Sequence, residues 1–451
     1  MREVYIKIEG YHLLDVKECT IYQCVNEHGV AKIAGHIADN EEEACFRKGL
    51  VDERARILGI DEMGCEFTLF EGIISQCIIK CTERTKMLEL ELKSSSYLMD
   101  IDVHIRSFQD KSITYNAVVN EIMNCYSKAS VRMETNAEMA IKKYLVQYKE
   151  TDWEFLKRVA SRMKTCIIPN AVEAGIRLLF GLMENTMAPE IICEEYKLGS
   201  EKGQRYYSVK SRDYFALGTQ VQFKGIKYYV YQADSKLEGA ELYHSYVLKS
   251  QKGFLCEEFE NDKIAGVSLE GHIADVKEDK VQVKLAQDTL SNTKKWFAYA
   301  TIYSSPDGTG WYCMPENGDR IRVYFPNSSE ENAYVMSSVH VGDMGTEGIS
   351  ARSNPDEKSI KSKYGKEILF KPDSLLITNN NGMSIEINDN EGISITSDKK
   401  IEMTAQEGIQ IVSVNDAVRM IAKEQLLLQQ NESYISIKDD IVMDGGQVKM
   451  V

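Results

Sequence analysis

The run Met383–Val412, MSIEINDNEGISITSDKKIEMTAQEGIQIV, carries the pattern on which the reading of the chain turns. Ile385, Ile393, Ile401 and Ile409 recur eight residues apart, and each is followed two positions later by Ile387, Ile395, Met403 or Ile411. The pattern continues less strictly through Val418/Met420, Leu426/Leu428, Ile435/Ile437 and Val448/Met450. Residues two apart share one face of a strand, and polar turns of about five residues between such pairs are the mark of a β-solenoid. No proline follows Pro372, so nothing interrupts backbone pairing.

Two apolar side chains per octad make a stripe too thin for one chain to wrap around, and a single winding leaves its sheet edges open. Three chains on a common axis close both. The expected arrangement is an intertwined homotrimer whose core is Ile385, Ile387, Ile393, Ile395, Ile401, Met403, Ile409 and Ile411. Ten strands stacked at about 4.8 Å give a needle on the order of 50 Å long.

The rest of the chain bounds the class. At 451 residues it has room for about three domains. A hydrophobic share of 43% and a charged share of 27% exclude a disordered or membrane-embedded protein. With 54 basic against 69 acidic residues the net charge is −15, which repels phosphate backbones and argues against nucleic acid as a partner. The start, MREVYIKIEG, has no apolar run of the secretory type. The most apolar stretch, Ala174–Met183, contains Arg177 and is too short to span a bilayer. Synthesis and folding in the cytoplasm are therefore expected. The eleven cysteines are odd in number, and the closest pair, Cys77 and Cys81, has no second pair at zinc-site spacing. They read as reduced thiols, mostly buried.

Upstream of the octads lie two further regions. Residues 1–250 mix strands and helices. VYIKIEG and KMLELELKSSSYLMDIDVHI alternate apolar and polar residues as half-buried antiparallel strands do. Ser112–Ser127 switches to a helical stripe of Val118, Ile122 and Cys125/Tyr126. Thr151–Met163 opens with Thr-x-x-Glu, a capping box, and puts Leu156, Val159, Ala160 and Met163 on one face with Trp153 and Phe155 flanking. Residues 255–345 are all-β. GVSLEGHIADVKEDKVQVKL gives two strands, WFAYATIYS a third, and the turns Asp307-Gly308 and Asn317-Gly318 precede the alternating Ile321, Val323 and Phe325. That is the size of a small closed barrel such as an OB-fold. A linker over 346–365 and the repeat region 366–451 complete a mainly β chain with an α+β N-terminal part.

No Gly-x-Ser-x-Gly, His-Glu-x-x-His or phosphate-cradling loop appears, and no catalytic residue, cofactor or metal is assigned. Gly-His-Ile-Ala-Asp occurs at Gly35–Asp39 and again at Gly271–Asp275, and reads as two barrel strands rather than a His/Asp metal site. Trp153 reads as core. Trp311 reads as exposed or as lying where the needle leaves the barrel. Glu391-Gly392 and Glu407-Gly408 read as solvated turns rather than cation rings. Two other functions compete: a cell-wall glycan hydrolase on a β-helix scaffold, and a receptor-binding fibre.

Three stretches in this order resemble the VgrG-like hub–spike proteins of contractile injection systems. YLVQYKETDWEFLKRVASR, with Tyr148, Trp153, Phe155 and Leu156, is similar to the hub segment. PDGTGWYCMPENGDRIRVYF, with Gly308, Gly310, Pro315, Gly318 and Asp319, is similar to the OB-fold segment, and the octads follow. The resemblance implies a hub of two similar barrels, an OB-fold neck and a triple-stranded β-helix. It implies a non-enzymatic trimer that caps a hexameric inner tube, meets baseplate proteins and pierces the target-cell membrane when a sheath contracts. It implies a PAAR-like tip protein, here seated on Val448, Met450 and Val451, and effector cargo. The hub is short for the family, no lysozyme domain lies between neck and needle, and no effector domain is expected after the repeats.

Overall fold

The computed structural model describes residues 5–50, 54–61, 63–135, 137–185, 187–193, 195–288, 293–336, 354–444 and 446–447. The alternation that marks the first region as half-buried strand is realised side chain by side chain. In Lys86–Ser94, Leu88, Leu90 and Leu92 are buried, while Glu89, Glu91 and Lys93 between them are only partly covered. This strand lies inside an antiparallel sheet with, among the described residues, eleven strands. Its order runs Tyr5–Ile8, Arg54–Ile60, Glu66–Cys81, Lys86–Ser94, Val30–Ile37, Asp15–Cys24, Ile226–Glu238, Glu241–Lys249, Gln204–Ser211, Tyr196–Glu201, with Gln220–Phe223 on Ile226–Glu238. Residues 5–94 and 196–249 thus form two halves, joined where Asp15–Cys24 pairs with Ile226–Glu238. Each half has its own apolar core, around Ile33, Ile57 and Leu69 in the first and Val221, Val230 and Leu248 in the second.

Among the described residues three α-helices accompany the strands: α1 (Glu42–Leu50), α2 (Tyr115–Met123) and α3 (Asp152–Arg162). The N-cap of α2 is Thr114, whose side chain accepts from Ala117 N at 3.1 Å. The helix stops at Met123, so Cys125 lies beyond it and is exposed rather than on the buried stripe with Val118 and Ile122. Tyr126 turns back to donate to Asp152 Oδ2 at 2.7 Å. The segment Lys86 to Ile105 is not one strand pair. A 3-10 turn, Ser95–Asp100, separates Lys86–Ser94 from Val103–Phe108.

Among the described residues the barrel segment forms a five-stranded antiparallel sheet in the order Trp296–Ala298, Lys280–Leu285, Ser268–Lys277, Arg320–Tyr324, Tyr334–Met336. Ile321, Val323 and Phe325 all point into its core. Only three residues of WFAYATIYS are strand. The chain then runs into an exposed hairpin pinned by Trp311 N donating to Tyr303 O at 2.8 Å. Gly310 at φ +142 is required there, because a Cβ would sit 2.3 Å from Tyr303 O. Gly308 and Gly318 take φ +87 and +92 in the two turns. Asp319 accepts from Glu316 N at 2.8 Å, and its own carbonyl receives Ile273 N at 2.9 Å, while Pro315 is half-buried beside them.

The chain divides into two compact units, residues 1–341 and 342–451. In the second, Lys358–Lys361, Glu367–Phe370, Ser374–Thr378, Ser384–Asn388 and Gly392–Thr396 form an antiparallel meander. It begins upstream of position 366, within the segment read as linker. A smaller sheet pairs Leu426–Gln430, Ser433–Ile437 and Ile441–Asp444. Residues 346–353, Val448, Met450 and Val451 lie outside the described residues.

Candidate functional site

The strand Leu145–Thr151 is shared between two cores. Side chains alternate across a strand, and here the alternation divides the strand between partners. Leu145 packs with Phe108, Trp153 and Phe155 in the core that holds α2 and α3. Tyr144, Val146 and Tyr148 face the other way, into the barrel core with Ile273, Val283, Phe297 and Val323. The Tyr144 ring stands edge-on to Phe297 at 5.5 Å. Hub and barrel are therefore built around one strand, and they belong to a single compact unit.

The next residues complete the joint. Thr151 caps α3, accepting from Glu154 N at 3.1 Å, and Glu154 Oε2 accepts from Thr151 N at 3.1 Å. Trp153 is core, its ring 4.4 Å from that of His28, and Phe155 stacks on Phe108 at 5.7 Å. Phe155 and Leu156 are fully buried. The helix is not amphipathic in the simple sense its sequence gives, because its polar side is buried too. Asp152 is paired to Arg106 and accepts from Gln147 at 2.9 Å. Arg158 donates to Glu150 Oε1 at 2.8 Å and Oε2 at 2.6 Å. It also donates to Glu330 Oε1 at 2.8 Å, across to the barrel. Arg162 reaches Glu330 Oε2 at 2.8 Å and Glu260 Oε2 at 2.6 Å. Glu331 lies beside this group and receives Tyr144 N. Burial alone would raise the carboxyl of Glu331, but Lys111, the Tyr144 amide and Lys295 together hold it below the usual carboxylate range.

Sequence reading missed Glu150, Arg158, Arg162, Glu260 and Glu330. An Arg-x-x-x-Arg on a helix looks like a solvated face, and its partners come from as far as 172 residues away. No local pattern marks them.

The second feature is one face of the C-terminal sheet. Residues directly opposite one another across a sheet share a face. Ile360, Ile368, Ile377, Ile385 and Ile395 stand in one cross-strand row. Phe370, Leu375, Ile387 and Ile393 form a second row on the same face. The other face carries Glu386 and Ser394 opposite each other. The smaller sheet repeats the plan with Leu426, Ile437 and Ile441 in one row and Leu428, Ile435 and Met443 in another. In one chain these rows are open: Ile393 is 71% and Ile395 57% exposed. Ile401, Met403, Ile409 and Ile411 are also exposed, and no strand is formed over 397–425. A soluble chain rarely leaves so long an apolar row uncovered.

Other candidates resolve more simply. His36 bonds Asp15 Oδ1 at 2.9 Å, but His272 faces the Gly318 carbonyl at 3.4 Å, so the repeated pentapeptide forms two unrelated strand sites. Trp311 is exposed. Gly392 makes a left-handed turn, whereas Gly408 does not share that conformation. No group of metal-ligating side chains occurs among the described residues. All eleven cysteines are free, but only Cys19, Cys24, Cys45 and Cys166 are fully buried, and Cys65, Cys81, Cys125 and Cys313 are exposed. Among the described residues no helix is long and apolar enough to cross a membrane.

Comparison with known proteins places both regions. Residues 44–164 match the family described as phage tail baseplate hub (GPD). Residues 269–340 match the type VI secretion system/phage-baseplate injector OB domain. No curated protein sequence matches the chain. Among solved structures, an E. coli component of the type VI secretion system, described as structurally similar to the T4 bacteriophage tail proteins gp27 and gp5, superposes with TM-score 0.54 at 12% identity, over 74% of this chain and 99% of that one. The Francisella PdpA–VgrG complex superposes in its half-lidded form with TM-score 0.56 at 10% identity over 88% of each chain. The lidless PdpA–VgrG complex gives 0.57 at 9% identity, over 88% of this chain and 98% of the other. A baseplate hub followed by an injector OB domain defines a structural component of contractile tails and type VI systems. This chain carries a baseplate-hub region and an injector OB domain, and its fold is similar to that of VgrG-like hub–spike proteins.

Proposed function

We propose that three copies of this chain form the hub and needle of a contractile injection particle. The carrying observation is the pair of apolar rows on one face of the first C-terminal sheet, one crossing all five of its described strands and the other crossing four, open in one chain. Three such faces turned to a common axis bury each other, and three chains supply strand partners for 397–425, where one chain makes none. The hub caps a hexameric inner tube among baseplate proteins. The needle is driven through the target-cell envelope by sheath contraction, with a PAAR-like tip protein on Val448, Met450 and Val451 and effector cargo. Its part is mechanical rather than catalytic, and a joint with a shared strand and buried ion pairs suits that part. Assembly takes place in the cytoplasm, before the particle is fired or released.

Sedimentation of the full-length protein tests the core of this reading. A species of three times the 51.2 kDa chain mass is expected, with a C-terminal fragment that survives protease and heat. A stable monomer at micromolar concentration refutes it.

A further inference from the structure

Glu330 meets both guanidiniums that α3 presents to the barrel. Its Oε1 accepts from Arg158 Nη1 and its Oε2 from Arg162 Nη2, each at 2.8 Å. One carboxylate thus grips two residues a helical turn apart, as i, i+4 spacing allows. Glu150 holds Arg158 from the junction strand in a two-bonded fork, and Glu260 shares Arg162 Nη2 with Glu330. The Arg158 side chain is 0% and that of Glu330 2% exposed. Among the described residues no acceptor meets the buried Arg162 Nε and Nη1, and Glu330 and Glu260 hold its guanidinium through Nη2.

Buried ion pairs are a poor source of net stability, since desolvation offsets most of the attraction. Fork-shaped charge-assisted bonds do supply geometric specificity. The apolar contacts of Tyr144, Val146 and Tyr148 with the barrel core have the opposite character: they favour burial but carry no direction. We propose that Glu330 is a positioning residue that pins the OB-fold at one angle to the hub. The ionic cluster sets the orientation and the apolar core supplies the adhesion. This holds whatever the number of chains in the assembly, so it stands or falls separately from the trimer.

The test replaces the cluster in the full-length protein by apolar residues: Glu150→Leu, Arg158→Met, Arg162→Leu and Glu330→Leu together. Electron cryomicroscopy of the purified variant is expected to give several hub-to-OB orientations where the wild type gives one, with the denaturation midpoint kept. A single, wild-type orientation in the apolar variant overturns the proposal, whatever its stability. Should the quadruple change not fold, Glu330→Gln keeps the shape of the side chain. The Val146 amide, which donates to Glu330 Oε1 at 3.4 Å, is then expected to exchange hydrogen at least about tenfold faster, while amides of the remote strand Lys86–Ser94 do not change. Unaltered exchange at Val146 overturns the proposal equally.

Discussion

Ile385 lies directly across the sheet from Ile395, and Ile387 from Ile393, so residues eight apart in sequence are diagonal neighbours rather than partners. The octad is the length of one strand plus one reversal. The two residues of each apolar pair are two apart, so they share a strand face by parity, and each stands directly opposite a member of the next pair.

That parity gives the first prediction. Ile393→Asp places a charge on the apolar face of each chain. In a closed trimer three unpaired charges meet, each costing several kcal/mol. The variant is expected to sediment as single chains while the hub melts as before, and Ile409→Asp is expected to act alike. Ser394→Asp, on the opposite face, should leave the assembly intact.

Arg158 provides the second. Arg158→Ala leaves Glu150 and Glu330 buried without their shared cation, and the loss is expected to be about 3–5 kcal/mol. The exposed pair Arg47–Glu43 is the control: Arg47→Ala should change stability by less than about 1 kcal/mol. Urea unfolding followed by tryptophan fluorescence reads both.

Acid weakens the hub through His244. It is buried, its Nδ1 lies 2.6 Å from Ser235 Oγ, and burial pushes its pKa down to about 4. The unfolded histidine titrates near 6.5, so the unfolded chain takes up the proton first. The contribution is complete above pH 6.5 and is lost as pH falls from there towards 4, with about 2 kcal/mol gone by pH 5. His28, shifted down chiefly by burial, adds in the same direction. Urea midpoints at pH 7.5 and pH 5 measure the drop, and His244→Gln should reduce it.

The cap of α3 is the fourth. Thr151→Ala removes the acceptor for Glu154 N and the hydroxyl that donates to Asp100 Oδ1. A loss of about 1–2 kcal/mol is expected from denaturant titration.

The parts of this molecule that were legible in the sequence are those with short-range causes. Thr151 and Glu154 are three residues apart, and their capping box is present. Asp307-Gly308 and Asn317-Gly318 make their turns, and Ile321, Val323 and Phe325 alternate into a core. The octad pairs reveal a face, though not that Ile360, Ile368 and Ile377 extend it upstream, because spacings of eight and nine break the count there. The joint was opaque. YLVQYKETDWEFLKRVASR is recognisable as a string, but why Tyr144, Val146 and Tyr148 alternate with Leu145 is answered only by a barrel more than a hundred residues downstream. Glu330 has no sequence signal at all.

The doubly used strand has a consequence for ancestry. A genetic exchange that brought in a foreign barrel after residue 250 would leave Tyr144, Val146 and Tyr148 facing strangers, and Glu330 would have to be reinvented. Hub and barrel should therefore be inherited as a matched pair, and crossovers that swap armaments between lineages should fall beyond both.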